Sequence, residues 1–177
     1  GNTKYSSLLL NNFLGISKGD IYDSQKLQQR LTMDPNGGDI SSLYMDDGYL
    51  TFQAIPVEVG VRNDTIDLEI RIYEGAQFHI GKIIITGNTK TNEHVIRREI
   101  KTRPGMLFSR EDIIRTQREL AQLGYFNPEA FTINPVQHPE NGTVDIEYGV
   151  EEKPSDQIEL SGGFGGGQIV GTVGLRF

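Results

Sequence analysis

The sequence predicts an α+β protein in which two tandem repeats, each with the element order β-α-α-β-β, precede a two-stranded tail. Three observations give this prediction. The tetrapeptide Gly1–Lys4 recurs letter for letter as Gly87–Lys90, which is 87 − 1 = 86 residues later. Further landmarks follow in the same order in both copies, as internal repeats require. After residue 153 the composition changes to a glycine-rich, alternating pattern.

Composition excludes several classes of protein. The chain has 177 residues, of which 36% are hydrophobic, so it can bury small cores. It has no Cys, which excludes a disulfide scaffold, thiolate chemistry and the usual zinc sites. The net charge of −7 argues against a protein that binds nucleic acid through broad electrostatics, and we expect no nucleic-acid partner.

Matching landmarks place the repeats at residues 1–75 and 76–153 and the tail at 154–177. The offset between the copies falls from 86 to 76 along the chain, so the first copy holds 86 − 76 = 10 extra residues, most simply near 34–43. The matched pairs of segments are 19–22 with 105–108, 47–50 with 123–126, 52–57 with 131–136, and 65–69 with 143–147.

The second copy carries every element of the repeat. A β-branched run before Gly87 predicts a first strand over 78–86, and a helix follows from residue 91 or 92 to about 102. Ser109 begins a second helix with a sequence that resembles a capping box, and Gly124 ends it. Two further strands, over 131–136 and 143–151, alternate apolar and polar residues and form a hairpin.

The directions of these elements predict a three-stranded mixed sheet with two helices on one face. The first and third strands are parallel, the third is central, and the second lies at an edge. Pro56 and Pro135 fall in the second strands, and Pro is confined to edges because it has no N–H to donate. The first copy begins just past its first strand, so we expect its third strand, about 65–73, to have an unpaired edge.

The tail alternates apolar residues with small or polar ones over two segments. This pattern is typical of a transmembrane β-strand of ~9–11 residues, and also of an ordinary hairpin in a soluble sheet. A closed barrel needs at least ~8 strands, so two strands could only be the start of one. Since the tail and the sheet edges both have unmet backbone hydrogen bonds, we expect a tail strand of this or a neighbouring molecule to pair with an open edge.

The repeats resemble polypeptide-transport-associated (POTRA) domains. The resemblance rests on Gly-Asn-Thr after the first strand, on Arg-Arg-Glu-Ile at 97–100 and on Leu-Gly-Tyr-Phe at 123–126. Val-Glu-Glu-Lys-Pro at 150–154, before a glycine-rich hairpin, is similar to the junction between the last POTRA domain and the barrel in outer-membrane protein insertases of the BamA type. The first domain departs from the family pattern by its missing first strand and its insertion near 34–43.

The resemblance implies the last two periplasmic POTRA domains and the first two strands of a barrel in the outer membrane of a Gram-negative bacterium. The implied function is to guide unfolded outer-membrane β-barrel proteins to the barrel for folding and insertion. The alternatives are the POTRA region of a two-partner-secretion-type transporter and a periplasmic docking module of a division or cell-wall protein. We expect no enzyme activity and no catalytic, cofactor or metal site.

Two features could bind partners. The first is the pair of edge strands, where an extended client can add as a further strand through main-chain hydrogen bonds; the same Pro residues could equally serve to block such pairing. The predicted client-binding residues are Thr51, Phe52, Gln53, Ala54, Ile55, Val57, Phe131, Thr132, Ile133, Asn134 and Val136.

The second feature is a local excess of positive charge. Residues 93–118 hold seven basic and four acidic side chains, a balance of +3 in an acidic chain. A solvated helix face with i,i+4 ion pairs would explain it, and anionic lipid headgroups are another target. In the resembling family the barrel-proximal domain docks a helical-repeat accessory lipoprotein, for which the candidates are Arg97, Arg98, Lys101 and Arg103.

Overall fold

The first repeat packs three helices against one face of a two-stranded antiparallel sheet. The helices are α1 (Ser7–Leu14), α2 (Ser24–Thr32) and α3 (Ile40–Met45), and the strands are β1 (Gln53–Arg62) and β2 (Thr65–Tyr73). The computed structural model describes residues 1–32, 34 and 37–154, together with the backbone of 157–165 and 168–176.

Buried side chains from all three helices and from the start of β1 form the core of this repeat. Tyr44 lies at its centre and stacks on Phe52, with ring centroids 4.1 Å apart. Stacked or edge-on aromatic pairs of this kind add about 0.5–1.5 kcal/mol beyond the area that they bury. The buried set is Leu10, Leu27, Leu31, Ile40, Tyr44, Phe52 and Ala54.

The insertion divides the second helix of the first repeat. By the sequence alignment, α2 and α3 correspond to the two halves of the single second helix in the other repeat. Asp39 begins α3, because its buried carboxylate accepts hydrogen bonds from the Ser42 N–H at 2.8 Å and the Ser42 hydroxyl at 2.7 Å. It also accepts one from the Asp34 N–H at 3.0 Å, which holds the inserted loop. Met33, Pro35 and Asn36 lie outside the described residues.

The second repeat has the predicted sheet order, with the last strand in the centre. Its elements are β3 (His79–Thr86), α4 (Glu93–Glu99), α5 (Arg110–Gln122), a 3-10 turn (Pro128–Ala130), β4 (Thr132–His138) and β5 (Thr143–Gly149). The order in the sheet is β3-β5-β4, with β3 parallel and β4 antiparallel to β5.

A capping side chain begins α5, whereas α4 has no side-chain cap and ends earlier than predicted. Ser109 caps α5 as predicted, since its hydroxyl accepts a hydrogen bond from the Asp112 N–H. The expected end of α4 near residue 102 is wrong: the helix ends at Glu99, and Ile100 already has extended backbone angles. The buried Thr102 hydroxyl instead lies 2.9 Å from the Tyr148 hydroxyl, inside the core.

The core of the second repeat lies between its helices and the inner face of its sheet. Its buried residues are Phe78, Ile80, Ile83, Ile96, Ile100, Phe108, Leu120, Phe126, Val144, Ile146, Tyr148 and Val150. None of the helices in the described part of the chain is long and apolar enough to cross a membrane.

The tail forms its own antiparallel pair, β6 (Gln157–Gly165) with β7 (Gln168–Arg176). Neither strand pairs with any other described strand, so the predicted pairing of the tail with a sheet edge does not occur within one chain. The predicted alternation of tail side chains lies outside the described residues, since only the backbone of these strands is described.

The two repeats are joined by a polar contact at the start of α5. The carboxylate of Asp46 accepts hydrogen bonds from the Glu111 N–H at 2.7 Å and the Ser109 hydroxyl at 3.1 Å, so one repeat supplies a cap for a helix of the other. The Phe78 N–H donates to the Gly48 carbonyl at 2.8 Å. Gly48 has φ +88°, a left-handed conformation that favours glycine, and a Cβ there would lie 3.2 Å from the Phe78 carbonyl oxygen.

We expect Asp46→Ala to loosen the contact between the repeats, because loss of a capping carboxylate costs about 1 kcal/mol. Nitrogen-15 relaxation should give one rotational correlation time for both repeats in the parent chain and two different ones in the variant. Asp67→Ala removes an exposed carboxylate of β2 and is the matched control. Joint tumbling of the repeats in Asp46→Ala would contradict the prediction.

Candidate protein-binding surfaces

The outer edge of β1 is the longest open sheet edge that the sequence predicted. No described strand pairs with this edge along Gln53–Arg62. Pro56 lies near its middle, and the register with β2 shifts between Glu58 and Gly60, where Val59 is the extra residue of a β-bulge. A bulge increases the local twist, and together with Pro it limits continuous pairing to part of the edge.

Four of the residues predicted to bind clients on the first repeat lie in β1. Gln53 and Ile55 are exposed and Val57 is half-buried, whereas Ala54 faces the core. The other two predicted residues precede the strand. Thr51 lies in a turn, and Phe52 is buried because its ring stacks on Tyr44.

The corresponding edge of the second repeat is β4. Of the predicted residues, Thr132, Ile133, Asn134 and Val136 lie in this strand, and Val136 is 44% exposed. Phe131 precedes the strand and packs against Phe126, with ring centroids 6.2 Å apart.

Loop 105–108 covers the start of the β3 edge, a contact that the sequence patterns did not predict. Ile80 donates its N–H to the Met106 carbonyl at 2.7 Å and accepts a hydrogen bond from the Gly105 N–H at 2.8 Å. In the first repeat the matching loop has no strand beside it, and Ile21, the counterpart of Leu107, is 95% exposed. The predicted open edge of β2 is present, because no described strand other than β1 pairs with β2.

Most of the predicted docking cations are engaged in ion pairs within the repeat. Arg97 Nε donates to Glu93 Oε1 at 2.6 Å, and Arg98 Nε donates to Glu99 Oε1 at 3.0 Å. Lys101 Nζ lies 3.8 Å from Glu119 Oε1.

Arg103 is the exception among the four docking candidates, since no acidic side chain in the described residues lies within ion-pair distance of it. Arg115 and Arg118, both exposed on α5, share this property in the described part of the chain. Arg118 lines a shallow groove of about 240 Å³, together with Ile114, which is 44% exposed, and Phe131.

A carboxylate in each repeat closes the loop that contains the repeated Gly-Asn-Thr-Lys sequence, and we call this arrangement the carboxylate latch. In the second repeat, Glu152 accepts hydrogen bonds from the Thr89 hydroxyl at 2.7 Å, the Lys90 N–H at 3.0 Å and the Thr91 N–H at 2.6 Å. Gly87 permits the loop to turn here: its φ is +87°, and a Cβ would lie 1.9 Å from the Val150 carbonyl oxygen.

The latch of the first repeat is built in the same way around Glu74. This carboxylate accepts hydrogen bonds from the Thr3 hydroxyl and from the Thr3 and Lys4 N–H groups, the last two at 2.7 and 2.9 Å. The Tyr44 hydroxyl adds a further bond at 2.8 Å. Leu120 is the counterpart of Tyr44, so the second latch has no such bond.

Both latch carboxylates have strongly lowered pKa values. Hydrogen bonds from the Thr89 hydroxyl and the Thr91 N–H lower the pKa of Glu152 to about 2. For Glu74, partial burial alone would raise the pKa, but hydrogen bonds from Thr3, Lys4 and Tyr44 outweigh it and the pKa falls to about 2. Each side chain is therefore a carboxylate throughout the physiological pH range.

The spacing of the repeats in the sequence also relates the two latch carboxylates to each other. The segments 65–69 and 143–147 match at an offset of 143 − 65 = 78, and the same offset relates Glu74 to Glu152. The described residues contain no group of three His, Cys, Asp or Glu side chains that could hold a metal ion.

Comparison with known proteins places both repeats in one family. The POTRA family model, described as surface antigen variable number repeat, matches residues 1–75 and 78–153. The chain belongs to the POTRA family.

Two curated relatives are named as outer membrane protein assembly factors. The chain is 28% identical over 125 residues to the outer membrane protein assembly factor BamA of Neorickettsia risticii, covering 70% of this chain and 16% of that protein. It is 25% identical over 159 residues to BamA of Neisseria meningitidis serogroup B, covering 88% of this chain and 19% of that protein. The chain thus spans less than a fifth of these relatives. The predicted resemblance to the POTRA region of BamA-type proteins is confirmed.

A solved structure has the same fold. The crystal structure of Haemophilus influenzae BamA POTRA3-5 matches with a TM-score of 0.70 at 18% sequence identity, over 82% of this chain and 56% of that chain. The two POTRA repeats and the mixed three-stranded sheet are therefore features that this chain shares with a BamA POTRA region.

The latch pKa values predict how stability depends on pH. The folded pKa of about 2 lies below the ordinary 4.5, so the stabilisation is complete above about pH 4.5 and is lost as the pH falls toward 2. The melting temperature of the double variant Glu74→Gln/Glu152→Gln should lie below that of the parent at neutral pH, and this difference should shrink as the pH approaches 2.

The matched control for this prediction is Glu58→Gln/Glu129→Gln, which neutralises two exposed carboxylates outside the latches. The control should lower the melting temperature at neutral pH much less. A difference for the latch variant that does not change with pH would contradict the prediction.

Proposed function

We propose that this chain is the periplasmic POTRA region of an outer-membrane protein assembly factor. In this proposal it guides unfolded outer-membrane β-barrel proteins toward a barrel by strand addition at open sheet edges, and it docks a helical-repeat accessory lipoprotein. It acts as a binding scaffold and not as an enzyme, without a cofactor. The observation that carries the proposal is the pair of tandem POTRA repeats with open edges at β1 and β4.

Strand addition suits clients of varied sequence. An open edge offers backbone N–H and C=O groups, and pairing with them requires an extended backbone but few particular side chains. Ile55 and Val136, one on each edge, are both 44% exposed and offer apolar surface to the alternating side chains of an added strand. Pro56 and the bulge after Glu58 keep such pairing short, which favours weak and reversible capture.

The second part of the proposal is docking of the lipoprotein through the basic surface of the second repeat. Arg97 forms an exposed ion pair, and Arg98 and Lys101 form partly exposed ones. Ion pairs at the surface contribute only about 0–1 kcal/mol each, so these cations can exchange for acidic groups of a partner. Arg103 needs no such exchange, since it has no acidic partner in the described part of the chain.

We also propose that the chain lies at the outer membrane. Two curated relatives, which match 70% and 88% of this chain, are named BamA, and both are far longer than it. In our proposal β6 and β7 are the first strands of an outer-membrane barrel, and residues 1–153 face the periplasm of a Gram-negative bacterium.

The strand-addition proposal predicts that a lysine at the edge weakens client binding. A peptide from a strand of an outer-membrane barrel protein should shift the backbone amide signals of Gln53–Arg62 or Thr132–His138 in nuclear magnetic resonance spectra. Ile55→Lys and Val136→Lys should each weaken binding at their own edge by about tenfold, or ~1.4 kcal/mol, because an edge lysine opposes strand pairing.

Ile114→Lys is the matched control, since Ile114 has the same 44% exposure but lies on α5. It should leave the peptide affinity unchanged, and a scrambled peptide should produce no localised shifts. Shifts confined to Thr65–Tyr73 would instead assign client binding to the β2 edge and contradict the proposal.

The docking proposal predicts that Arg98→Gln/Arg103→Gln weakens binding of the helical-repeat lipoprotein of the same bacterium by about two- to tenfold, as expected for exposed charges. Surface plasmon resonance at two salt concentrations would measure this loss, which should shrink at high salt because salt screens these charges. Lys18→Gln/Lys26→Gln removes two exposed cations of the first repeat and should have no effect. Equal losses in both pairs of variants would contradict this docking site.

A further inference from the structure

The chain leaves both repeats through the same arrangement of a carboxylate and a following strand. Glu74 directly follows β2, and His79, the first residue of β3, is the fifth residue after it. Glu152 follows β5, and Gln157, the first residue of β6, is again the fifth residue after it. Each latch therefore lies where the chain ends one repeat, and the next strand begins at the same distance along the chain.

The exit from the second repeat is held by backbone and by side-chain contacts. Segment 151–153 lies against segment 125–127, with an antiparallel bridge between Phe126 and Glu152. Two backbone hydrogen bonds, each 2.8 Å long, join the same two segments. The Glu152 side chain binds loop 89–91, so the exit segment is attached to two separate loops of the repeat.

The exit segment of the first repeat is also held by hydrogen bonds, and these orient the strand that follows it. After Glu74, Gln77 Nε2 donates to the Asp47 carbonyl at 2.9 Å, and the Phe78 N–H donates to the Gly48 carbonyl at 2.8 Å. These carbonyls belong to the loop that follows α3, the counterpart of the loop that binds the exit segment of the second repeat. The chain thereby enters β3 in one direction, and the second repeat is held against the first.

We propose that Glu152 is a positioning residue that fixes the direction in which the chain passes from the second repeat into the tail strands, and that Glu74 has the same role between the two repeats. This role goes beyond the proposed function, because it concerns the orientation of the tail. It does not depend on which partner binds at the sheet edges. A carboxylate suits it, since its two oxygens accept bonds from several donors at once.

Glutamine reproduces this contact only in part, although it has almost the same shape. Its single amide oxygen can replace Oε1, which accepts from the Lys90 and Thr91 N–H groups. Its NH₂ group then replaces Oε2, where it faces the Lys90 N–H at 3.0 Å, and the negative charge is lost. Glu152→Gln should therefore free the exit segment while the core of the second repeat, from which Glu152 is absent, stays packed.

A distance measurement in the whole chain tests this proposal. The chain has no Cys, so two spin labels can be attached at a pair of introduced cysteines. One pair, at Gln122 on α5 and Gln157 on β6, reports the orientation of the tail. Glu152→Gln should broaden the distance distribution of this pair roughly twofold, as expected when a held segment becomes a free linker. Glu151→Gln, a neutralised exposed neighbour, should leave the distribution unchanged.

A second pair of labels, at Lys26 on α2 and Arg115 on α5, makes the test reciprocal. Glu74→Gln should broaden the distribution of this pair and leave the Gln122–Gln157 pair unchanged, and Glu152→Gln should do the reverse. A role limited to stability predicts a lower melting temperature with unchanged distances, and that result would overturn the proposal. A parent chain with a distribution as broad as that of Glu152→Gln would overturn it as well.

Discussion

Backbone N–H groups of the loop that contains the Gly-Asn-Thr-Lys sequence donate to one carboxylate in each repeat, Glu74 in the first and Glu152 in the second. Glu74 and Glu152 come from the other end of their repeats, so these hydrogen bonds tie the start of the repeat to its end. The Thr91 N–H is partly buried and would cost about 1–3 kcal/mol without a partner, whereas the bonds from the Lys4 and Lys90 N–H groups are exposed. Within the repeated Gly-Asn-Thr-Lys sequence, the contacts of the loop account for the Asn and Thr side chains that the two copies share. Its Thr hydroxyl and Lys N–H bind the carboxylate, and its Asn side chain closes the turn through a backbone carbonyl.

The repeats use matching loops in different ways because only one of them has a strand beside the loop. In the second repeat, loop 105–108 pairs with the start of β3, and Phe108 is buried in the core. In the first repeat, the counterparts Ile21 and Tyr22 have no such strand, and both are exposed. The same sequence pattern therefore covers the start of the β3 edge in the second repeat, whereas Ile21 and Tyr22 stay exposed in the described part of the first.

The sequence was sufficient to predict the sheet order but not the contacts between side chains. Strand directions and the position of Pro135 placed β5 in the centre and β4 at an edge, since these follow from chain direction and from the missing N–H of Pro. The early end of α4 was not predictable, because it depends on the burial of Thr102 against Tyr148, which are distant in the chain. The pairing of Arg97 with Glu93 follows the i,i+4 rule, whereas Lys101 with Glu119 and Asp46 with α5 join residues that only the fold brings together.

Rigid contacts and open edges have complementary roles in a scaffold of this kind. A strand that adds at β1 would be oriented by the sheet of the first repeat, and the Asp46 cap and the Gly48 contact would transmit that orientation to the second repeat. If the two repeats tumbled independently, a strand bound at the edge of one repeat would have no fixed orientation relative to the other repeat or to the chain that follows it. The inter-repeat contacts and the two latches use different groups from those at the sheet edges. Weak binding of varied partners at an edge is therefore compatible with a fixed orientation of the two repeats. In the scaffold that we propose, the edge residues could therefore vary with the client while the capping carboxylate and the latches keep the same geometry.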